Sequence, residues 1–289
     1  MPASPPLYAY LHGQFTPLEQ AFLHVSDLAI VRGYGVFDFL KVQAGEPLFL
    51  DLYLDRFYRS AQLLELTVPL ERPALVGVIQ ELIRRNNLPL SGIKLVLTGG
   101  YSANGYEPGA PNLLLTQQPL TLPTPAQVAT GIKLMTHDYV RELPPAKTIN
   151  YATGIRLLKQ LRTQGADEVL YHHQGVVTDS PRANFFIVQH DNTVLTPAAD
   201  VLAGITRHNL LTLPGSPSRI TEGRVTLAEV YQAKEAFLTS TTKRVLPVVQ
   251  IDDVVLGTGQ PRPVTLALLQ ALLDLETRQR QPAAERPSV

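Results

Sequence analysis

Between Gln117 and Gln127 the sequence QQPLTLPTPAQ carries three prolines and no hydrophobic period. Proline fixes its own φ and has no backbone N–H, so such a stretch suits neither a helix interior nor the middle of a sheet. It reads as an extended connection. The chain is therefore predicted to form two packed bodies, a smaller one over residues 1–116 and a larger one over 128–278. Residues 117–127 join them, and the polar, proline-containing residues 279–289 form a tail. A length of 289 residues with 45% hydrophobic content supplies two moderate cores.

In the first body, Ala29 to Val42, apart from its glycines, and Ile93 to Leu97 have strand character. Leu50 to Leu66 and Pro73 to Asn86 carry apolar residues at helical spacing. In the second, Ile132 to Met135 reads as a strand and Tyr151 to Gln164 as a helix stopped by Gly165. Short strands follow at Glu168 to His172 and Phe185 to Val188, with a turn at His173-Gln174-Gly175. Helices are predicted at Thr206 to Leu213 and Leu266 to Arg278. This mixture predicts an α/β (α+β) chain.

Lys and Arg total 25 and Asp and Glu total 25, so the formal net charge is zero. No basic cluster offers a footprint for nucleic acid or an anionic membrane, and no apolar run approaches the roughly 20 residues of a membrane span. The proline-rich start, Met1 to Pro6, lacks the basic and apolar regions of a signal peptide, and there is no cysteine. The expectation is a cytoplasmic protein with small-molecule partners. His172 and His173 are adjacent, so on a strand they face opposite ways and do not jointly hold a metal; none is expected. The glycines of Thr98 to Tyr106 do not open a helix, which removes the dinucleotide fingerprint and leaves a loop able to cover a site.

Chemistry concentrates in Lys147-Thr148-Ile149-Asn150-Tyr151 and in Thr178-Asp179-Ser180-Pro181-Arg182-Ala183-Asn184-Phe185-Phe186. A lysine in a loop after Pro144-Pro145 offers a primary amine, and an aspartate nearby in sequence offers a fixed anion. With Gly33-Tyr34-Gly35-Val36-Phe37-Asp38, Leu54-Asp55-Arg56-Phe57, Leu202-Ala203-Gly204-Ile205-Thr206-Arg207 and Phe237-Leu238-Thr239-Ser240-Thr241-Thr242, these segments resemble the class IV aminotransferases. That family of pyridoxal-phosphate enzymes includes D-amino acid transaminases, branched-chain aminotransferases and aminodeoxychorismate lyases. The resemblance covers nearly the whole chain and implies fold type IV, a homodimer, and a cofactor held between two domains, with 128–278 binding most of it.

By that resemblance Lys147 forms the imine with the cofactor aldehyde and later shuttles a proton. Asp179 faces the pyridine nitrogen, where relatives carry glutamate, so this chain is one methylene short; an aspartate in a Thr-Asp-Ser-Pro turn also serves as a local backbone cap. Gly204, Ile205 and Thr206 open a helix toward the phosphate, with Thr241 adding a hydroxyl and Arg56 a bidentate cation. Tyr151 hydrogen-bonds the ring hydroxyl oxygen, although a tyrosine early in an amphipathic helix also suits a core.

Substrate choice rests on Arg32, Lys94, Arg182 and Thr242. Branched-chain enzymes tend to carry an aromatic residue near Arg32, and Lys94 matches a position where an arginine binds carboxylate in several relatives. Three cations favour carboxylate-bearing substrates, and for each the alternative is a surface or interface salt bridge. The reading is a ping-pong transaminase, first a D-amino acid transaminase using D-glutamate with 2-oxoglutarate or D-alanine with pyruvate. A branched-chain L-amino acid aminotransferase and then an aminodeoxychorismate lyase are the alternatives.

Overall fold

The structure is a computed structural model describing residues 6–280, so residues 281–289 of the expected tail and nearly all of the proline-rich start lie outside the described residues. The chain divides into two compact units. The first holds the residues up to Thr121 together with Ala146–Asn150; the second holds Leu122–Pro145 and the residues from Tyr151 on.

In the first unit, β1 (Tyr8–Leu11) and β2 (Gln14–Pro17) form a hairpin closed by His12 and Gly13, both at positive φ, as a two-residue turn matched to strand twist requires. Helix α1 (Leu28–Arg32) precedes β3 (Gly35–Gln43) and β4 (Glu46–Pro47). Helices α2 (Leu50–Leu63) and α3 (Arg72–Asn86) lead into β5 (Leu90–Thr98) and β6 (Leu113–Pro119). The sheet order is β2-β1-β6-β5-β3-β4, antiparallel throughout. Val36, Asp38, Leu40 and Val42 alternate along β3 and are all fully buried; the period of two therefore carries a carboxylate into the same apolar face as three aliphatic side chains. On the other face Phe39 lies over Gly92, where a Cβ would fall 1.9 Å from the ring.

Ala29 to Arg32, expected as strand, are helical instead. The side chain of Asp27 accepts a hydrogen bond from Ala29 N at 2.8 Å to cap α1, and Gly33 closes it at φ 66°. Leu-Ala-Ile-Val-Arg is too short and too uniformly apolar for its period to separate strand from helix, so the caps decide. Part of the proline-rich connection is likewise ordered. Gln117 to Pro119 complete β6, and Pro125 opens α4 (Pro125–Thr130) behind a Thr124/Gln127 capping box. Pro119 takes the last place of the strand and Pro125 the first turn of the helix, where no N–H is missed.

In the second unit, β7 (Ile132–Asp138), α5 (Ala152–Arg156) and α6 (Leu158–Gln164) precede β8 (Glu168–His173) and β9 (Val176–Val177). Then come β10 (Asn184–Val188), β11 (Val194–Pro197), α7 (Ile205–Leu211), β12 (Ile220–Gly223), α8 (Leu227–Tyr231), β13 (Glu235–Ser240), β14 (Arg244–Ile251), β15 (Val254–Val255) and α9 (Pro263–Gln279). The expected single helix from Tyr151 is thus two, parted at Leu157. The sheet runs β12-β11-β10-β13-β14-β7-β8-β9, with β15 on β14. Alternation splits β10 and β13 between two cores. Phe185, Ile187, Ala236 and Leu238 enter one; Phe186, Val188 and Phe237 enter the other with Leu210 of α7 and Leu268 and Leu272 of α9. Asn184 and Thr239 continue the second face, and they are direct cross-strand partners. No helix among the described residues is long and apolar enough to cross a membrane.

Candidate active site

Lys147 belongs to a short extended segment laid along the start of β3. Phe37 N donates to Lys147 O at 2.9 Å, Ile149 N donates to Gly35 O at 3.1 Å, and Thr148 bridges Val36. Lys147 N donates to Oγ of the buried Ser60 on α2 at 3.1 Å. Gly35 is needed here, because a Cβ would meet Leu97 O at 2.7 Å and Ile149 Cδ1 at 3.1 Å. With its backbone fixed on both sides, Lys147 holds Nζ 4.6 Å from the centre of the Phe37 ring, a position in which an ammonium is stabilised by the ring face without being neutralised. Partial burial and a rigid backbone suit an amine that must be aimed.

Arg56 presents its guanidinium fork to a carboxylate of the protein. Nε and Nη2 donate to Asp38 Oδ2 and Oδ1 at 2.9 and 2.6 Å, both residues are buried, and the guanidinium also lies over Tyr53. The fork expected to meet a phosphate is therefore spent at least in part on Asp38, which would otherwise be an uncompensated charge in the apolar face of β3.

Asp179 is 3% exposed, and both of its carboxylate oxygens accept hydrogen bonds. Oδ1 accepts from Asn184 Nδ2 at 3.1 Å and Ser180 N at 3.2 Å; Oδ2 accepts from Leu202 N at 3.0 Å and Arg141 Nη2 at 3.4 Å. Leu202 O in turn accepts from Asn184 Nδ2 and from Gly204 N, each at 2.8 Å. Asp179 is thereby tied to Gly204, which caps α7 ahead of the buried Ile205 and Thr206. A Cβ on Gly204 would fall 1.9 Å from Asn184 Oδ1, so glycine is what allows the loop to close on that amide. Asp179 thus bonds Ser180 N within its own turn and is a fixed, buried carboxylate. Beside it, burial pushes the Tyr171 hydroxyl well above the usual tyrosine range, and Tyr139 and Glu168 act in the same direction.

Thr241 and Thr242 lie half-buried in the turn between β13 and β14, with Thr242 Oγ1 3.3 Å from Ser240 Oγ. Tyr151 is the residue ahead of α5 and is half-buried. Arg32 ends α1 exposed, its Nη1 donating only to the neighbouring Val31 O among the described residues. Lys94 is exposed on the face of β5 opposite Ile93 and Leu95. Arg182 is 63% exposed and its Nη2 lies 3.1 Å from Glu168 Oε2, the kind of salt bridge that stands as the alternative to a substrate cation. Among the described residues, no group of three or more side chains is placed to hold a metal ion.

Residues 35–251 match the family Amino-transferase class IV. The chain is a class IV aminotransferase. It is 31% identical over 282 residues to a Methanocaldococcus jannaschii protein provisionally named a branched-chain-amino-acid aminotransferase, across 93% of this chain and 96% of that one. It is 26% identical to the D-alanine aminotransferase of Bacillus licheniformis, across 90% and 94% of the two chains. A T.th. branched-chain amino acid aminotransferase crystallised with pyridoxamine 5'-phosphate superposes with a TM-score of 0.87 at 27% identity, covering 95% of each chain. The fold class expected from sequence is thus that of the family.

Several residues around the aminotransferase's candidate groups were not singled out from sequence. Ser60 and Asp38 lie on positions whose burial only the packed sheet and helix reveal. Arg141, which donates to Pro144 O at 2.6 Å as well as to Asp179, sits in an aperiodic stretch where an arginine carries no signal. Asn184 was visible as part of its motif, but its bonds to Asp179 and Leu202 were not.

Proposed function

We propose that this class IV aminotransferase is a pyridoxal-phosphate-dependent D-amino acid transaminase, pairing D-glutamate with 2-oxoglutarate or D-alanine with pyruvate. The observation that carries the choice of substrate is Arg32, an exposed guanidinium at the end of a helix where, among the described residues, it is bonded only to its own neighbour, and so available to a carboxylate. Several relatives named D-alanine aminotransferases support the same reading.

The chain's residues fit the cofactor. An amine fixed at the backbone, a buried carboxylate, and a glycine-capped helix start supply the donor set the group needs. Ser180 Oγ and Thr239 Oγ1 are buried and without a protein partner among the described residues, which marks the surroundings of Asp179 and Asn184 as incompletely satisfied by the chain alone. Lys147, Tyr151 and Asp179 would hold the ring, and Gly204, Ile205, Thr206 and Thr241 the phosphate, with Arg56 contributing positive charge. Pyridoxal phosphate, when bound, supplies an aldehyde and an electron sink for the substrate amine.

The other tasks belong to the protein. Lys147 Nζ, once it is a free neutral amine, would take the proton from the substrate α-carbon and pass it to the cofactor, which requires the amine to stay close. Asp179, clamped by Asn184, Leu202 and Arg141, would offer its carboxylate to the ring nitrogen and favour that nitrogen's protonated form. Thr242 and Arg32 orient the substrate carboxylate. Two half-reactions then alternate, each releasing a keto acid or an amino acid before the next substrate enters.

A second reading, a branched-chain L-amino acid aminotransferase, is supported by the likeness to the T.th. enzyme. The loaded protein should therefore be given one amino acid and no acceptor. Loss of the cofactor's visible absorption with D-glutamate or D-alanine, and its persistence with L-leucine, is the expected result; the opposite pattern transfers the assignment to the branched-chain class.

We also infer a homodimer. Phe22, Val25, Ile30 and Val31 are exposed together with Tyr101 and Tyr106, on two segments that the Asp27–Tyr101 bridge joins, a concentration of apolar surface that single chains rarely leave in water. Sedimentation at micromolar concentration should give twice the chain mass, and a monomer would remove the inference.

A further inference from the structure

Glu168 opens β8 and is 4% exposed, yet it is the meeting point of two cations. Arg182 Nη2 and Lys243 Nζ lie 3.1 and 3.0 Å from the same oxygen, Oε2. The two come from different places in the chain: Arg182 from the motif between Asp179 and Asn184, and Lys243 from the turn that also carries Thr241 and Thr242. One buried carboxylate thus fastens together the two segments that carry the candidate anion and the candidate substrate hydroxyls.

The two cations are not equivalent. Arg182 is largely in water, with 63% of its side chain exposed, whereas Lys243 keeps only 15%. A lysine ammonium has three N–H donors, and Glu168 is the one partner of Lys243 Nζ among the described residues. A mostly desolvated ammonium with donors to spare is unfavourable unless an acceptor arrives. The turn that carries it is also partly exposed. The strand residues on either side, Glu235 to Thr239 and Val245 to Val248, are buried, while Ser240 to Arg244 are all half-buried and form the open tip between them. That tip is held in place, because Lys243 N donates to Ser240 Oγ at 3.1 Å.

We propose that Lys243, held against Glu168 beside Thr242, receives the distal carboxylate of the substrate, so that of the two pairs proposed above this enzyme favours D-glutamate with 2-oxoglutarate. The inference rests on the transaminase reading and deepens it: Thr242 addresses the carboxylate common to all amino acids, and Lys243 the second one. Glu168 is a positioning residue, aiming the ammonium without touching the substrate. Arg182, lying largely in water against the same oxygen, serves only to balance Glu168.

The test uses the cofactor-loaded enzyme and two acceptors, 2-oxoglutarate and pyruvate, at saturating amino donor. Lys243→Met should raise KM for 2-oxoglutarate by about thirtyfold, the loss expected for one charge-assisted contact. KM for pyruvate should move less than about threefold by the same reasoning, since pyruvate has no second carboxylate. Lys243→Arg should restore most of the affinity for 2-oxoglutarate. Should Lys243→Met not fold, Lys243→Gln, which keeps a donor toward Glu168, carries the same comparison. Equal changes for both acceptors, or no change for either, overturn the proposal while leaving the transaminase reading intact. A wild-type enzyme that transfers amino groups to neither acceptor overturns both.

Discussion

Lys147→Ala is expected to lower turnover by about four orders of magnitude while leaving thermal unfolding nearly unchanged, because it removes both the covalent amine and the proton carrier. The structure explains why the two effects separate. The segment around Lys147 is held by main-chain bonds to Gly35 and Phe37 and by the bond from Lys147 N to Ser60 Oγ. Alanine keeps all of these. It does lose the ammonium over the Phe37 ring, an interaction worth about 1 kcal/mol. Turnover and melting temperature measured on the same preparation check this, and a variant that retains a tenth of wild-type activity would show that another group acts.

Asp179→Asn should cost roughly a hundred- to thousandfold in turnover while pyridoxal phosphate still binds, the size expected when one fixed charge facing a reacting centre is removed. It should also weaken the fold. A carboxylate can accept from Asn184, Ser180, Leu202 and Arg141 at once; an asparagine must turn an NH2 group toward one of these donors. About 1–3 kcal/mol of stability is the expected loss from that mismatch. Kinetics, cofactor titration and thermal melting on the variant separate the two consequences. Unchanged turnover, with or without a lower melting temperature, would reduce Asp179 to a structural clamp.

What was legible in the sequence follows from how local each signal is. Strands and helices with a sustained period, such as Leu50 to Leu66, where α2 takes Leu50–Leu63, and Ile93 to Leu97, are legible, and so are the motifs around Lys147 and Asp179, because each is contiguous. The α1 turn was not legible, since its five residues satisfy both periods and only the Asp27 and Gly33 caps choose between them. Partnerships were the least legible. Arg56 finds Asp38 across 18 residues, and Glu168 gathers Arg182 and Lys243 from two separate motifs. Pairing among arginines and lysines is decided by which carboxylate the fold brings near, and spacing along the chain does not encode it. That is why spacing leaves Arg182 open between a substrate cation and a salt bridge, the latter supplied by Glu168 in the structure, and why nothing in the sequence singles out Lys243.

The most direct test of Lys147 as the cofactor-holding amine loads the purified protein with pyridoxal phosphate, reduces it with borohydride and locates the fixed pyridoxyl group by peptide mass. The expected result is a single modified peptide carrying the group on Lys147. Label on a different lysine, or a protein that takes up no label, would contradict it.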